Sequence, residues 1–142
     1  MAAGTAMVAS TAGCSLFDDD PKPAQPDALQ PVLDEALALA AALDQAALAQ
    51  PGLATRLNPL AADHRAHIAE LSRVIGKPVP SPGASSSAPA AGDPGTLLKQ
   101  LRTDVKAAQR NAATACGRAP AARAALVGSI AACRATHAEA LR

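Results

Sequence analysis

Apolar residues recur every three or four positions in four stretches of this chain, which is the spacing of one face of an α-helix. In the third stretch Leu98, Leu101 and Val105 lie on such a face, and in the fourth Ile130 and Leu141 do. Each predicted helix is amphipathic, and none has enough apolar surface to be stable alone. The pattern and its end signals predict helices over about residues 31–50, 59–75, 96–116 and 120–141.

The second of these helices has the clearest end signals. Asn58 is a good N-cap residue, and Pro59 suits the first helical position because its missing N–H is not needed there. Gly76, followed by Pro78, is typical of a helix end. We therefore expect this helix to begin at residue 59 and to end at residue 75.

The segment 77–95 separates the second helix from the third. It contains Pro, Ser, Gly and Ala without periodicity and is interpreted as a disordered linker. Fully extended, it could span roughly 60 Å, which is longer than a helix of this chain. Short connections make antiparallel neighbours, and one long connection permits a crossover. The prediction is one all-α domain over residues 27–142, a four-helix bundle of two helical hairpins joined by a crossover linker. An up-down-up-down bundle with a long loop is the alternative.

Composition and charge exclude several function classes. Of the 142 residues 39 are Ala, and the chain has no Trp, no Tyr and one Phe. So few β-formers and aromatic rings exclude a sandwich, a barrel or an RNA-recognition sheet. A net charge of +1 offers no electrostatic surface for nucleic acid, and no stretch approaches the ~20 apolar residues of a membrane span. Because no nucleophile with a base and an orienting group is visible, we expect a protein that is not an enzyme.

The N-terminal stretch predicts where the protein is located in the cell. Residues 1–17 carry no charge and lead through Ser10-Thr-Ala-Gly to Cys14, after which three Asp residues and Pro21 follow. The small-small-Cys ending resembles a bacterial lipobox, which implies a lipid anchor on Cys14 at the extracytoplasmic face of the cell membrane. Residues 1–26 are then a signal remnant and a disordered tether. No Lys or Arg precedes Cys14, so a start upstream and an ordinary thiol in a disordered tail remain alternatives.

The two remaining cysteines are Cys116 and Cys133. In an exported chain with a lipidated N-terminal cysteine they form an even pair, which permits one disulfide. The alternative is that both are small buried apolar residues. On ideal helices Cys133 lies ~20 Å along the fourth helix, whereas a disulfide needs Cα atoms within about 7 Å. We expect the disulfide only if a loop extends from Gly117 to about Gly128.

All three histidines of the chain lie on apolar helix faces and are predicted to point into the bundle. The simplest interpretation is that they are core histidines hydrogen-bonded to carboxylates or carbonyls. The alternative is a transition-metal site, since imidazole binds Zn, Cu, Ni or Fe. A crossover would gather the histidines near one level with two aspartates and Cys133, whereas a simple bundle would scatter them. The candidate metal ligands are His64, His67, His137, Asp44 and Asp104.

Two stretches carry a resemblance to a known family. Leu57–Leu71, with its sequence Asp-His-Arg-Ala-His, and Leu126–Leu141, with Cys-Arg-Ala-Thr-His, resemble the ferritin-like four-helix proteins. They are most similar to the small actinobacterial ferritin-like lipoproteins of unassigned function. With the first and third helices, the resemblance covers roughly residues 27–142. It implies a ferritin-like bundle on a lipid anchor.

The chain departs from the di-iron members of that superfold, which carry Glu-x-x-His on two helices. The residue three before His67 is His64, and the residue three before His137 is Arg134, which would oppose a cation. A di-iron oxidase is therefore not expected. We predict a lipid-anchored domain that binds a protein or small-ligand partner and needs no cofactor, with an exported metal-binding or metal-sensing bundle as the alternative.

Overall fold

A computed structural model describes residues 26–79 and 92–142. In these two ranges the chain forms four α-helices and a short 3₁₀ turn, and it has no strand. The helices are α1 (Gln30–Ala49), α2 (Ala54–Ile75), α3 (Pro94–Arg118) and α4 (Ala121–Ala140), and the turn is Pro51–Leu53. The prediction of an all-α chain with four helices is confirmed for this part. None of the helices described is long and apolar enough to cross a membrane.

The start of α2 differs from the prediction. The helix begins at Ala54, so Asn58 is not its N-cap, and Pro59 lies inside the helix. Pro59 lacks the N–H that would bond to the preceding turn. Burial offsets that loss, because Leu57 on the added turn is fully buried in the core. Local capping signals are weaker than the burial of a leucine, and the predicted start at residue 59 is wrong for this reason.

The start of α3 carries a side-chain cap. The Asp93 carboxylate accepts a hydrogen bond of 2.8 Å from the backbone N–H of Thr96, and Pro94 follows as the first helical residue. This N–H lowers the pKa of Asp93, because it stabilises the charged carboxylate. The helix extends two residues beyond each predicted end. The bounds of α1 and α4 agree with the prediction to within one residue.

Hydrogen bonds tie the ends of different helices together. The Gln50 side chain, just after α1, donates to the Gly92 carbonyl, just before α3, at 2.8 Å. Near the start of α2, Arg56 donates to the Ala140 carbonyl at the end of α4, at 2.7 Å. The end of α1, the start of α2, the start of α3 and the end of α4 are therefore linked at one end of the structure.

The opposite end is linked through Arg123, close to the start of α4. Its guanidinium donates to Asp27, just before α1, at 2.7 Å and to the carbonyl of Val74, at the end of α2, at 3.2 Å. The pKa of Asp27 is lowered by the N–H of Leu29 and by Arg123. This end therefore holds the start of α1, the end of α2 and the start of α4.

The core is rich in alanine and divided by polar side chains. Helix α1 packs mainly against α2, and α3 packs against α4. Ala36, Ala61 and Ala112 are fully buried, and small side chains of this kind let helices approach closely. Among the described residues, four buried ones are polar or charged, and they are His64, Ser72, Arg134 and His137. His64, Arg134 and His137 lie in or beside the site described next.

Candidate metal centre

Two histidines meet in the interior between α2 and α4. His64 is fully buried, and His137 is 5% exposed. Their rings contact edge to face with centroids 5.0 Å apart, and Nε2 of His64 lies 3.3 Å from Nδ1 of His137. One of these two nitrogens carries the hydrogen of the bond. Both side chains are buried, as their positions on apolar faces predicted.

The other nitrogen of His137 faces two further ligand atoms. Nε2 of His137 lies 3.0 Å from Oδ2 of Asp63 and 3.3 Å from Sγ of Cys133. The three ligand atoms all lie within 4.8 Å of one another. Cys133 and His137 are one helical turn apart on α4, and Asp63 reaches them from α2. We call Asp63, Cys133 and His137 the ligand trio.

The ligand trio lies where the interior opens to solvent. The His137 side chain is 6% exposed, whereas the Asp63 side chain is 58% exposed. Cys133 is intermediate between them. A cation could therefore enter from the Asp63 side and meet the buried imidazole last.

The donor types and spacing of the trio fit a divalent transition metal. An imidazole, a thiolate and a carboxylate are all zinc ligands, whereas calcium and magnesium prefer oxygen alone. In a tetrahedral zinc site the ligand atoms lie about 3.3 to 3.8 Å apart. The distances of 3.0 and 3.3 Å from Nε2 of His137 are slightly shorter than this. A zinc ion held by these three residues would leave its fourth position to water.

Burial lowers the pKa of two of the histidines, His64 and His67. Desolvation, helped by repulsion from His137 and Arg134, lowers the pKa of His64 to about 3. Desolvation also lowers the pKa of His67 and raises that of the Cys133 thiol. His64 and His67 therefore favour the neutral form of the ring. Cys133 is a thiol in the absence of a cation, and a metal bound there would displace its proton.

The same geometry does not fit a catalytic triad. In a triad the imidazole contacts the nucleophile with one nitrogen and the carboxylate with the other. Here Nε2 of His137 faces both Cys133 and Asp63, while Nδ1 faces His64. A thiol with a raised pKa is also a poor nucleophile. The arrangement favours coordination over covalent catalysis.

Arg134 is fully buried one turn from His137. It donates to Glu35 at 2.7 Å, to the Ala108 carbonyl at 2.9 Å and to the Val32 carbonyl at 3.1 Å. Because Glu35 balances its charge, Arg134 opposes a cation in the ligand trio less than the sequence alone suggested. The signal for its burial is present in the sequence, since Arg134 follows Ile130 by one turn on an apolar face.

Of the predicted ligand set, only His137 belongs to the trio. Asp44 forms an ion pair with Arg65, and its side chain is 40% exposed. Asp104 is exposed and accepts a hydrogen bond from Gln100 at 2.9 Å. Both aspartates lie on the flanks of their helices, where a short carboxylate reaches a surface neighbour instead of the interior.

The other two predicted ligands lie beside the trio and not in it. His64 contacts the far nitrogen of His137, as described above. His67 is half-buried, with its ring centroid 5.8 Å from that of His64, and its Nδ1 has no hydrogen-bond partner among the described residues. The interpretation of His64 as a core histidine bonded to a carboxylate or carbonyl is therefore corrected to a bond with a second imidazole.

Two of the three trio residues are absent from the predicted ligand set. The spacing of Cys133 four residues before His137 places both on one side of a helix, and this signal alone could have found Cys133. Asp63 carried no such signal, because it is an exposed residue beside the apolar face of α2. Its approach to His137 depends on how α2 packs against α4.

The disulfide considered for Cys116 and Cys133 is not formed, and both cysteines are free. Sγ of Cys116 donates to the Ala124 carbonyl at 3.3 Å and lies against Gly128. Cys133 lies five residues beyond Gly128, or about 7.5 Å further along α4. The loop from Gly117 to about Gly128 that the disulfide would need is not present, since α3 ends at Arg118 and α4 is helical from Ala121 onward.

Cys14, the predicted lipid-anchor residue, and most of the linker 77–95 lie outside the described residues. In comparisons with known proteins, the chain matches no family model, no curated protein and no solved structure.

Proposed function

We propose that this chain is a metal-binding helical domain whose ligand trio holds one divalent transition-metal ion, with Zn²⁺ as the best match. The observation that carries the proposal is the approach of three different ligand atoms to within 4.8 Å. The carboxylate of Asp63 and the thiolate of Cys133 together balance the charge of a divalent ion. The imidazole of His137 adds the nitrogen donor that Zn²⁺ favours.

We also propose that the four helices form a ferritin-like bundle of two hairpins joined by a crossover. The hydrogen bonds at both ends support this arrangement. Helix α3 starts at the end where α1 finishes, and α2 finishes at the end where α4 starts. In a bundle with these ends, α2 and α3 run in the same direction. The connection between them then has to cross from one end of the bundle to the other.

The proposed location is the extracytoplasmic face of the cell membrane, through a lipid on Cys14. The support is the small-small-Cys sequence and the polar stretch that follows it. The metal is then the small ligand of an exported domain, bound or sensed at the cell surface. Cys14→Ala is expected to remove the acyl mass and to release the protein from the membrane fraction, as measured by mass spectrometry and fractionation. Cys116→Ala is the control, and equal membrane retention of both variants would contradict the anchor.

Cobalt binding tests the metal site. Co²⁺ titrated into metal-free protein is expected to bind at one ion per chain and to produce the thiolate-to-metal absorption of a cysteine-ligated site. Cys133→Ser and His137→Ala are each expected to weaken binding by more than about 100-fold, because losing a direct ligand costs more than losing an outer partner. The absorption should disappear in Cys133→Ser.

Cys116→Ser and Asp44→Asn are the matched controls, since they change a thiol and a carboxylate outside the trio. Both are expected to bind Co²⁺ as the wild type does. Wild-type protein that binds no Co²⁺ or Zn²⁺, or Cys133→Ser protein that keeps full affinity, would overturn the proposal.

A further inference from the structure

His64 is a buried polar residue that the ligand trio does not use. It is fully buried and bonded to His137 through Nε2, while its Nδ1 has no hydrogen-bond partner among the described residues. An unpaired buried nitrogen lowers stability, and an apolar side chain at this position would avoid that cost. Packing alone therefore gives no reason for a histidine here.

We propose that His64 is a positioning residue that lets His137 present a free Nε2 to the metal, an inference that rests on the proposed metal site. A metal can bind Nε2 of His137 only after that nitrogen loses its hydrogen, and the neutral ring then carries its hydrogen on Nδ1. Nδ1 lies 3.3 Å from Nε2 of His64, which accepts this hydrogen bond.

Without metal, the geometry favours the opposite tautomer. Nε2–H of His137 then donates to Asp63 Oδ2 at 3.0 Å, and Nδ1 accepts from Nε2–H of His64. His64 therefore changes from donor to acceptor when the metal binds. A side chain at position 64 that could only donate, or that could do neither, would leave Nδ1 of His137 unpaired in at least one state, metal-free or metal-bound.

The hydrogens balance in this exchange. His137 gives up the proton on Nε2 and receives the one from Nε2 of His64 on its Nδ1. His64 takes up one proton from solvent on Nδ1, the atom without a partner. Each ring carries one hydrogen before and after this exchange, and the net proton released is that of the Cys133 thiol.

His67 is the natural comparison for His64. It lies on the same helix with its ring 5.8 Å from that of His64, and its Nδ1 is also buried without a partner. The bond to His137 is made by His64 and not by His67. If metal affinity falls when His64 is replaced and not when His67 is replaced, the loss is due to the bond to His137. It is then not due to the removal of a neighbouring imidazole.

Co²⁺ titrations of four proteins test the role of His64. His64→Leu is expected to weaken binding about 10- to 100-fold, while the thiolate-to-cobalt absorption at saturation remains. His64→Gln is expected to recover most of the affinity, because an amide can donate or accept in the same place. His67→Leu is expected to bind as the wild type does.

Imidazole ¹⁵N shifts of the wild type give an independent measurement that needs no variant to fold. The hydrogen of His137 is expected on Nε2 without metal and on Nδ1 with Zn²⁺. Wild-type protein that binds no metal would overturn the metal site itself. If the wild type binds metal, equal affinity in His64→Leu, an affinity of His64→Gln as low as that of His64→Leu, or an unchanged tautomer would each overturn the positioning role alone.

Discussion

Glu35→Gln is expected to lower the free energy of unfolding by about 3 kcal/mol. Glu35 lies 2.7 Å from the guanidinium of Arg134, which is fully buried. The substitution leaves that charge in the core without a counter-charge, and Nε of Arg134 already lacks a hydrogen-bond partner in the described structure. The bonds to the Ala108 and Val32 carbonyls remain, so the charge is the main change. Urea denaturation followed by circular dichroism measures the effect.

An exposed pair in the same protein supplies the control. Glu70 pairs with Arg73 on the surface of α2, and Glu70→Gln is expected to cost less than about 1 kcal/mol. The double variant Glu35→Gln/Arg134→Met is expected to regain most of the lost stability, because it removes both charges of the pair, including the buried one of Arg134. Equal losses in Glu35→Gln and Glu70→Gln would contradict the assignment of Arg134 as a buried cation that depends on Glu35.

Acidification of the metal-free protein from pH 7 to pH 5 is expected to remove about 2 kcal/mol of stability through His64. Burial lowers the pKa of His64 from 6.5 to about 3 in the folded protein. Below pH 6.5 the unfolded chain binds a proton that the folded chain does not. The contribution is therefore complete above pH 6.5 and is lost progressively as the pH falls from 6.5 to about 3. The lowered pKa of His67 acts in the same direction.

His64→Leu isolates this contribution from the other groups that titrate in the same range. Unfolding free energies are measured at both pH values with a chelator present, for the wild type and for the variant. The wild type is expected to lose about 2 kcal/mol more than His64→Leu. Identical pH dependence in the two proteins would contradict a neutral, buried His64.

Local patterns were sufficient for the helices themselves. The period of about 3.6 residues is a property of neighbouring positions, so α1 and α4 were predicted to within one residue. The start of α2 was missed, because the favourable signal at Asn58 and Pro59 is local while the burial of Leu57 depends on the other helices. Packing against the other helices can therefore move the first or last residue of a helix from the position that local signals predict.

The candidate site was predictable only in part. The apolar faces of two helices contain His64 and His137, and both are buried. The partners of these histidines were not predictable, since Asp63 is exposed and resembles other surface carboxylates such as Asp44. Which exposed carboxylate reaches an inward histidine depends on the rotation of one helix against the next.

By itself, the sequence determined that four amphipathic helices form around an alanine-rich core and that histidines enter that core. Only the tertiary structure decided how the polar side chains combine. Arg134 meets Glu35 across 99 residues of chain, and His137 meets Asp63 across 74. Pairs so far apart in sequence are set by the offset and rotation of packed helices, which the spacing of residues within one helix does not encode.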